Sequence, residues 1–280
     1  MKRLKIPYGD ANFEQIRTQN YLYVDKTKYI ELIENEPKYI FFIRPRRFGK
    51  SLFISMLESY YDINQKDRFE QLFGDLYIGK NPTPERNSYM VLSLDFSGIV
   101  TGQGIERFYE SLDHYISSSV RTFIIKYKNL LHIDDLPVES RKAETAITFL
   151  TDAIKLAGQK IYILIDEYDN FANDLIRPIH ETERSKLNYK TIINSEGYLR
   201  TFYKKLKVLT KTASNRLFMT GVSPIMLDDL ASGFNITANI TIRARFNEML
   251  GFTEKEALDI LQKTGLDAET IDGIMETLHY

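Results

Sequence analysis

The sequence predicts an α/β protein built around a central, mostly parallel sheet. Short apolar runs at Tyr39–Ile43, Met90–Phe96, Ile161–Ile165 and Leu217–Thr220 are rich in β-branched or aromatic residues, as suits strands buried on both faces. Helical stretches lie between them at Ser51–Tyr61, Ile105–Tyr127 and Ala143–Leu156, with two more segments between Asn173 and Lys211 interrupted near Gly197. Parallel neighbours require crossover connections, so alternating strand and helix points to a three-layer core.

Two short helices precede the first core strand. One is capped by Asn12 with Gln15 three residues on, and the other follows Asp25 and is stopped by Pro37. After Thr241 the strand signals fade, and Thr253–Leu261 and Ala268–Leu278 are amphipathic helices separated by Gly265. The expected organisation is a domain over residues 1–242, with 1–37 as a helical lead-in, and a short C-terminal helical segment over 243–280 expected to be truncated.

At 280 residues, 43% apolar and 27% charged, the chain is in the globular range and can bury a sizeable core. A formal net charge of −1 gives no bulk pull toward nucleic acid, so any such role must be local. The lack of cysteine removes disulfides, zinc-thiolate sites and thiol nucleophiles, and agrees with a reducing compartment. The opening residues carry no apolar signal segment and no run approaches the ~20 residues that span a bilayer, so a cytoplasmic protein with no membrane partner is expected. The triplets Asn235-Ile236-Thr237 and Asn239-Ile240-Thr241 are taken as chance matches to a glycosylation signal.

The segment from Tyr39 to Leu52 runs strand, loop, helix and contains Gly49-Lys50-Ser51, the context and ending of a phosphate-binding loop. Gly49 permits close backbone approach, and the amides and dipole at the helix start favour an anion. Lys50 would reach the outer phosphates of a nucleotide such as ATP, and the Ser51 hydroxyl would ligate Mg2+, which prefers oxygen donors. The usual pattern has a glycine five positions before Gly49, where this chain has Arg44 followed by Pro45. Arg44, Arg46 and Arg47 concentrate positive charge there, suited to bidentate contact with phosphate oxygens. Arg44, Arg47, Phe48, Gly49, Lys50, Ser51 and Leu52 are therefore the candidate nucleotide-binding set. A solvated basic turn, or a contact to nucleic-acid backbone, are the competing readings of the arginines.

The strand Ile161–Ile165 ends abruptly in Asp166-Glu167-Tyr168-Asp169. In open α/β sheets ligands gather at the carboxyl ends of strands. Asp166 would hold Mg2+ directly or through water, and Glu167 would act as general base on the attacking water. The bland alternative makes Asp166 and Asp169 caps or turn formers. Leu217–Thr220 ends in hydroxyl residues, so Thr220, with Ser223 behind it, is the candidate sensor of the terminal phosphate; a simple turn at Gly221 competes with it. Lys50, Glu167 and Thr220 are the candidate catalytic residues, and Ser51 and Asp166 the candidate metal ligands. Asp95 closes another strand and is left unassigned, and His114, His132, His180 and His279 lack metal-ligand spacing.

Arg44-Pro45-Arg46-Arg47-Phe48-Gly49-Lys50-Ser51-Leu52, Tyr23-Val24-Asp25-Lys26-Thr27 and Asp166-Glu167-Tyr168-Asp169 together resemble the bacterial AAA-ATPase-like family. Leu217–Pro224, Ser232-Gly233-Phe234-Asn235-Ile236 and Leu250-Gly251-Phe252-Thr253-Glu254 resemble its later segments, so the likeness covers nearly the whole chain. In that family an arginine-proline loop replaces the first glycine. The resemblance implies an AAA-like (ASCE-type) P-loop core, Lys50 and Ser51 at phosphate and Mg2+, and Asp166 with Glu167 as the acidic pair. Many full-length members carry a C-terminal domain resembling a restriction-type nuclease, which this chain is expected to end before.

The leading expectation is an ATPase whose cycle times a conformational change through a nucleotide, with a protein partner or a C-terminal nuclease-like domain downstream. A switch or binding module with little turnover is the alternative from another class. A nucleic-acid-associated ATPase is suggested by Arg200, Lys204, Lys205, Lys207 and Lys211, but Leu199, Phe202, Tyr203 and Leu206 interleave with them as in an ordinary amphipathic surface helix. Arg216, Arg243 and Arg245 are candidates for an arginine supplied to a neighbouring subunit, with oligomeric state left open.

Overall fold

The computed structural model describes residues 5–100, 105–170, 198–211, 216–224 and 237–278. Five parallel strands form one sheet: β1 (Tyr39–Ile43), β2 (Met90–Asp95), β3 (Ile161–Asp166), β4 (Arg216–Gly221) and β5 (Ala238–Asn239), in spatial order β2-β3-β4-β1-β5. The helices are α1 (Phe13–Thr18), α2 (Lys28–Glu34), α3 (Lys50–Tyr61), α4 (Phe69–Phe73), α5 (Tyr77–Lys80), α6 (Ile105–Lys126), α7 (Lys128–Leu131), α8 (Ala143–Ala157), α9 (Tyr198–Lys211), α10 (Glu254–Lys263) and α11 (Ala268–Leu278). Of the two helical segments expected between Asn173 and Lys211, the first lies outside the described residues, as do Ser232–Ile236, His180 and His279.

The period-two geometry of a strand divides these runs between two cores. Ile40 and Phe42 of β1, Val91 of β2, Tyr162 and Leu164 of β3 and Phe218 of β4 face a core completed by α1 to α5. Phe41, Leu92, Leu94, Ile161, Ile163, Ile165, Leu217 and Met219 face the opposite core, completed by α6, α8 and α9. Helices on both faces of a parallel sheet make the three layers expected, and explain why the strands read as continuous apolar runs instead of alternating ones. No helix among the described residues is long and apolar enough to cross a membrane.

Local chemistry sets the boundaries. Asn12 caps α1 by accepting from the Gln15 amide at 2.9 Å. Gly158 ends α8 in the left-handed conformation, and Thr253 with Glu256 forms a reciprocal capping box on α10. Phe96 falls outside β2, because Asp95 accepts from the Ser97 amide at 2.9 Å and turns the chain into a single 3-10 turn. The edge strand β5 lies in a stretch with no strand signature of its own and exists through its pairing to Ile40 and Phe41.

The lead-in is fastened to both ends of the core. Asp25 accepts from the Thr27 amide at 2.8 Å and the Tyr77 amide at 2.7 Å, and the Thr27 hydroxyl accepts from the Ile78 amide at 3.1 Å. Buried Lys26 bridges to both Glu256 carboxylate oxygens at 2.7 Å and to the Glu248 carbonyl at 2.9 Å. Phe246, Met249 and Leu250 share a core with Phe13, Tyr29 and Ile30, so packing is continuous across residue 242.

Candidate functional site

Parallel strands bring their carboxyl ends to one edge, and the loop after β1, the turn after β3 and the end of β4 meet there. β4 lies between the other two: Ile43 is in register with Gly221, and Ile165 with Met219. The proximity of the phosphate-type loop to the acidic turn is therefore a consequence of strand order.

Helix α3 starts at Gly49, whose φ of 89° belongs to the left-handed region and which offers no side chain to cap the first turn. Uncapped amides and the helix dipole leave this end electropositive. The Ser51 hydroxyl lies beside the carboxylate of Asp166, a buried residue closing β3, and favours its charged form. Lys50 is buried, donates to the Pro45 carbonyl at 3.0 Å, and has Asp166, Glu167 and Asp169 as electrostatic neighbours. Burial lowers the Lys50 pKa, the three carboxylates oppose that shift, and Arg46 adds to it.

Burial also dominates the two acids. Asp166 is raised by desolvation and by the neighbouring Asp95, against the Ser51 hydroxyl, the Glu167 amide at 2.9 Å and Lys50. Glu167 is raised by desolvation, then by Asp166 and Asp95, against Lys50 and Arg46. Its φ of 49° is costly for a residue with a side chain. Asp95 thus acts on the site electrostatically across the Asp95–Asp166 register pair while its own carboxylate caps the following turn.

Asp169 does different work. Its buried carboxylate accepts from the Val222 amide at 3.1 Å and the Ser223 amide at 2.6 Å, clasping the turn after β3 to the turn after β4. The Tyr168 hydroxyl donates to the Ser223 carbonyl and its amide donates to the Thr220 carbonyl at 3.2 Å. Gly221 is required by this closeness, since a Cβ there would lie 2.4 Å from the Tyr168 ring and 2.5 Å from Asp169. The Thr220 hydroxyl, buried at the end of β4, has no hydrogen-bond partner among the described residues.

The loop residues divide. Arg46, Arg47, Phe48, Gly49 and Ser51 are exposed, and Arg47 has a positive φ of 68°. The Leu52 side chain packs on the core beneath α3. The Arg44 guanidinium is directed elsewhere, donating to the carbonyls of Ile43 at 2.9 Å, Thr241 at 3.0 Å and Phe246 at 3.4 Å, and lying 4.3 Å from the Phe42 ring centroid. The arginines considered for a neighbouring subunit are engaged within the chain: Arg216 is buried against Glu85 at 2.9 Å, and Arg243 and Arg245 both pair with buried Glu36. Helix α9 buries Leu199, Phe202, Tyr203, Leu206 and Leu209, and Lys205 pairs with Glu144 at 3.3 Å.

An uncapped helix start, a buried lysine, a hydroxyl beside a carboxylate and a buried hydroxyl without a partner among the described residues fit a magnesium nucleotide: together they offer anion donors and hard oxygen ligands. The family model for Predicted AAA-ATPase matches residues 7–231. The chain belongs to that family. Membership makes this AAA-ATPase-like protein one of a nucleotide-binding class with a P-loop fold, in agreement with the sheet described above. It is also 30% identical, over 284 residues, to a protein of Azotobacter chroococcum mcd 1 described as an uncharacterized protein in the vnfD 5' region. That alignment covers 97% of this chain and 48% of the relative, so the chain spans about half the length of the curated relative it matches.

The clasp by Asp169 and the loop's attachment to Thr241, Phe246 and Gly251 were not foreseen from the sequence. Asp169 had a visible signal, a third acid just beyond a strand, but it is indistinguishable in sequence from a solvated turn former.

Proposed function

We propose that this AAA-ATPase-like protein binds and hydrolyses ATP with Mg2+ and converts the nucleotide state into a conformational change. The observation carrying this reading is the juxtaposition of the Ser51 hydroxyl and the Asp166 carboxylate at the uncapped start of α3, with buried Lys50 beside them. Amides of the 49–52 turn would bind phosphate oxygens, and Lys50 would exchange the Pro45 carbonyl for the outer phosphates. Ser51 and Asp166 would hold Mg2+, which supplies charge neutralisation between the terminal phosphates.

Glu167 would take a proton from the attacking water. Its environment supports this, because desolvation with Asp166 and Asp95 nearby raises its basicity toward the working pH. The Thr220 hydroxyl, buried with no partner among the described residues, would gain one at the terminal phosphate or the attacking water, giving the end of β4 a means of distinguishing ATP from ADP. Asp169, Tyr168 and Gly221 keep that strand end against the acidic turn.

Nucleotide binding and phosphate release by wild type and Lys50→Ala, measured together, test the reading. Loss of ATP binding in Lys50→Ala, with an unchanged thermal midpoint in the absence of nucleotide, is expected. Equal ATP affinity in the two proteins would remove the site from this loop. A tightly bound nucleotide without phosphate release in wild type would favour the switch reading.

A further inference from the structure

The loop from Arg44 to Gly49 is seated on a segment far away in sequence. The Ile43 amide donates to the Thr241 hydroxyl at 3.1 Å, closing the end of β1. Arg44 then reaches the Thr241 and Phe246 carbonyls, and at the other end of the loop the Phe48 carbonyl accepts from the Gly251 amide at 3.0 Å. The Phe48 ring covers Gly251 so closely that a Cβ there would lie 3.1 Å from it, and the φ of 77° at Gly251 also disfavours any side chain. The seat is itself fixed: Phe246, Met249 and Leu250 are core residues, and Lys26 holds the Glu248 carbonyl and Glu256.

A planar guanidinium suits this position. It presents several donors in a rigid fork and lies over the Phe42 ring, whereas an ammonium is a point charge on a flexible stem. With its donors taken up by backbone carbonyls, the guanidinium is turned from the start of α3 toward β5. We propose that residues 241–251 are the seat that keeps the phosphate loop in its binding shape and that Arg44 is its positioning residue, a role resting on the nucleotide reading above and distinct from contact with phosphate.

Full-length wild type, Arg44→Met, Arg44→Lys and Gly251→Ala should be compared for ATP and ADP affinity. Backbone hydrogen exchange over residues 241–251 should be followed in the nucleotide-free proteins. Arg44→Met should weaken ATP and ADP alike by about tenfold, the scale of one lost hydrogen bond to a charged group, and accelerate exchange across the seat. Arg44→Lys should restore little, because charge without the fork does not span the carbonyls. Gly251→Ala, outside the loop, should weaken both nucleotides as well, and it decides the matter if Arg44→Met fails to fold.

Two results would overturn the seat: a loss for ATP far exceeding that for ADP with rescue by Arg44→Lys, which is the signature of a phosphate contact, or unchanged exchange in both Arg44→Met and Gly251→Ala. If wild type binds neither nucleotide, the ATP reading fails on its own, and the exchange comparison still decides whether Arg44 holds the seat.

Discussion

Asp166 and Asp169 are both buried acids on the same turn, and the structure gives them opposite expected phenotypes. Asp169→Asn can keep an oxygen at the Oδ2 position, which accepts from both Val222 and Ser223, but then sets an amide group at the Oδ1 position against the Val222 N–H donor, and it removes the charge. Hydrogen bonds to charged groups contribute about 1.5–3 kcal/mol, and a buried amide left unmatched adds a desolvation cost, so a loss of about 2–4 kcal/mol is expected. For a chain of 280 residues that is a fall of about 3–7 °C in thermal midpoint. Asp166 is different, because burial raises its folded-state pKa and Asp95 adds to the shift. An acid raised on folding binds more protons in the native state. Its ionisation therefore removes stability as pH climbs from the unfolded to the folded pKa, and that deficit persists at neutral pH. Asp166→Asn should be neutral or stabilising in metal-free protein at pH 7 and should flatten that acidic-to-neutral slope, while abolishing phosphate release. Thermal and urea unfolding of both variants with EDTA present, alongside a phosphate-release assay, makes the comparison. A destabilised Asp166→Asn together with an unaffected Asp169→Asn would refute the division of labour between them.

Glu167→Gln should hold ATP at near wild-type affinity while phosphate release falls by at least about a hundredfold, the usual worth of a general base, as read by single-turnover release; retained release would exclude Glu167 as the base. Gly221→Ala should cost about 1–3 kcal/mol in urea unfolding from overpacking against Tyr168 and Asp169, and should reduce ATP affinity, because the two turns must part. At the opposite end of the sheet, burial raises the Glu85 pKa but hydrogen bonds from Tyr89 and Arg216 outweigh it and leave it lowered. That pairing contributes stability above the unfolded carboxyl pKa that is lost as pH falls through the folded one. Glu85→Gln should lose about 3–5 kcal/mol at pH 7, since Arg216 stays buried without its counter-charge, and should flatten the acid limb of a stability-versus-pH curve. An unchanged acid limb would show that Glu85 is not responsible for it.

The legible parts of this protein were those fixed by nearest neighbours along the chain. Ile40 and Phe42 against Phe41, and Ile163 against Leu164, announce a strand buried on both faces whatever its partners. Asn12 announces a helix start because a cap acts over three residues. The strand-loop-helix around Gly49 was visible for the same reason. β5 was not, because its two residues become a strand only by meeting β1. Nor could the destination of Arg44 be read, since two of its three acceptors lie 197 and 202 residues away in sequence. Local sequence gave that arginine a charge beside a phosphate-type loop and hence a phosphate as its natural partner; the fold provides backbone carbonyls closer at hand.

That difference bears on what a missing glycine means. A glycine at position 44 would give the loop freedom and leave its shape to the ligand, whereas Arg44 fastens the root of the loop to Thr241 and Phe246 as Phe48 fastens its tip to Gly251. A loop held at both ends pays less conformational entropy when it closes on an anion. It also moves less freely without its seat, and the seat runs within three residues into the capped start of α10. On the proposed reading, a displacement of Phe48 on nucleotide binding would be met first by Gly251 and then by the start of the helix whose Glu256 is held by Lys26, which would link the phosphate loop to the lead-in.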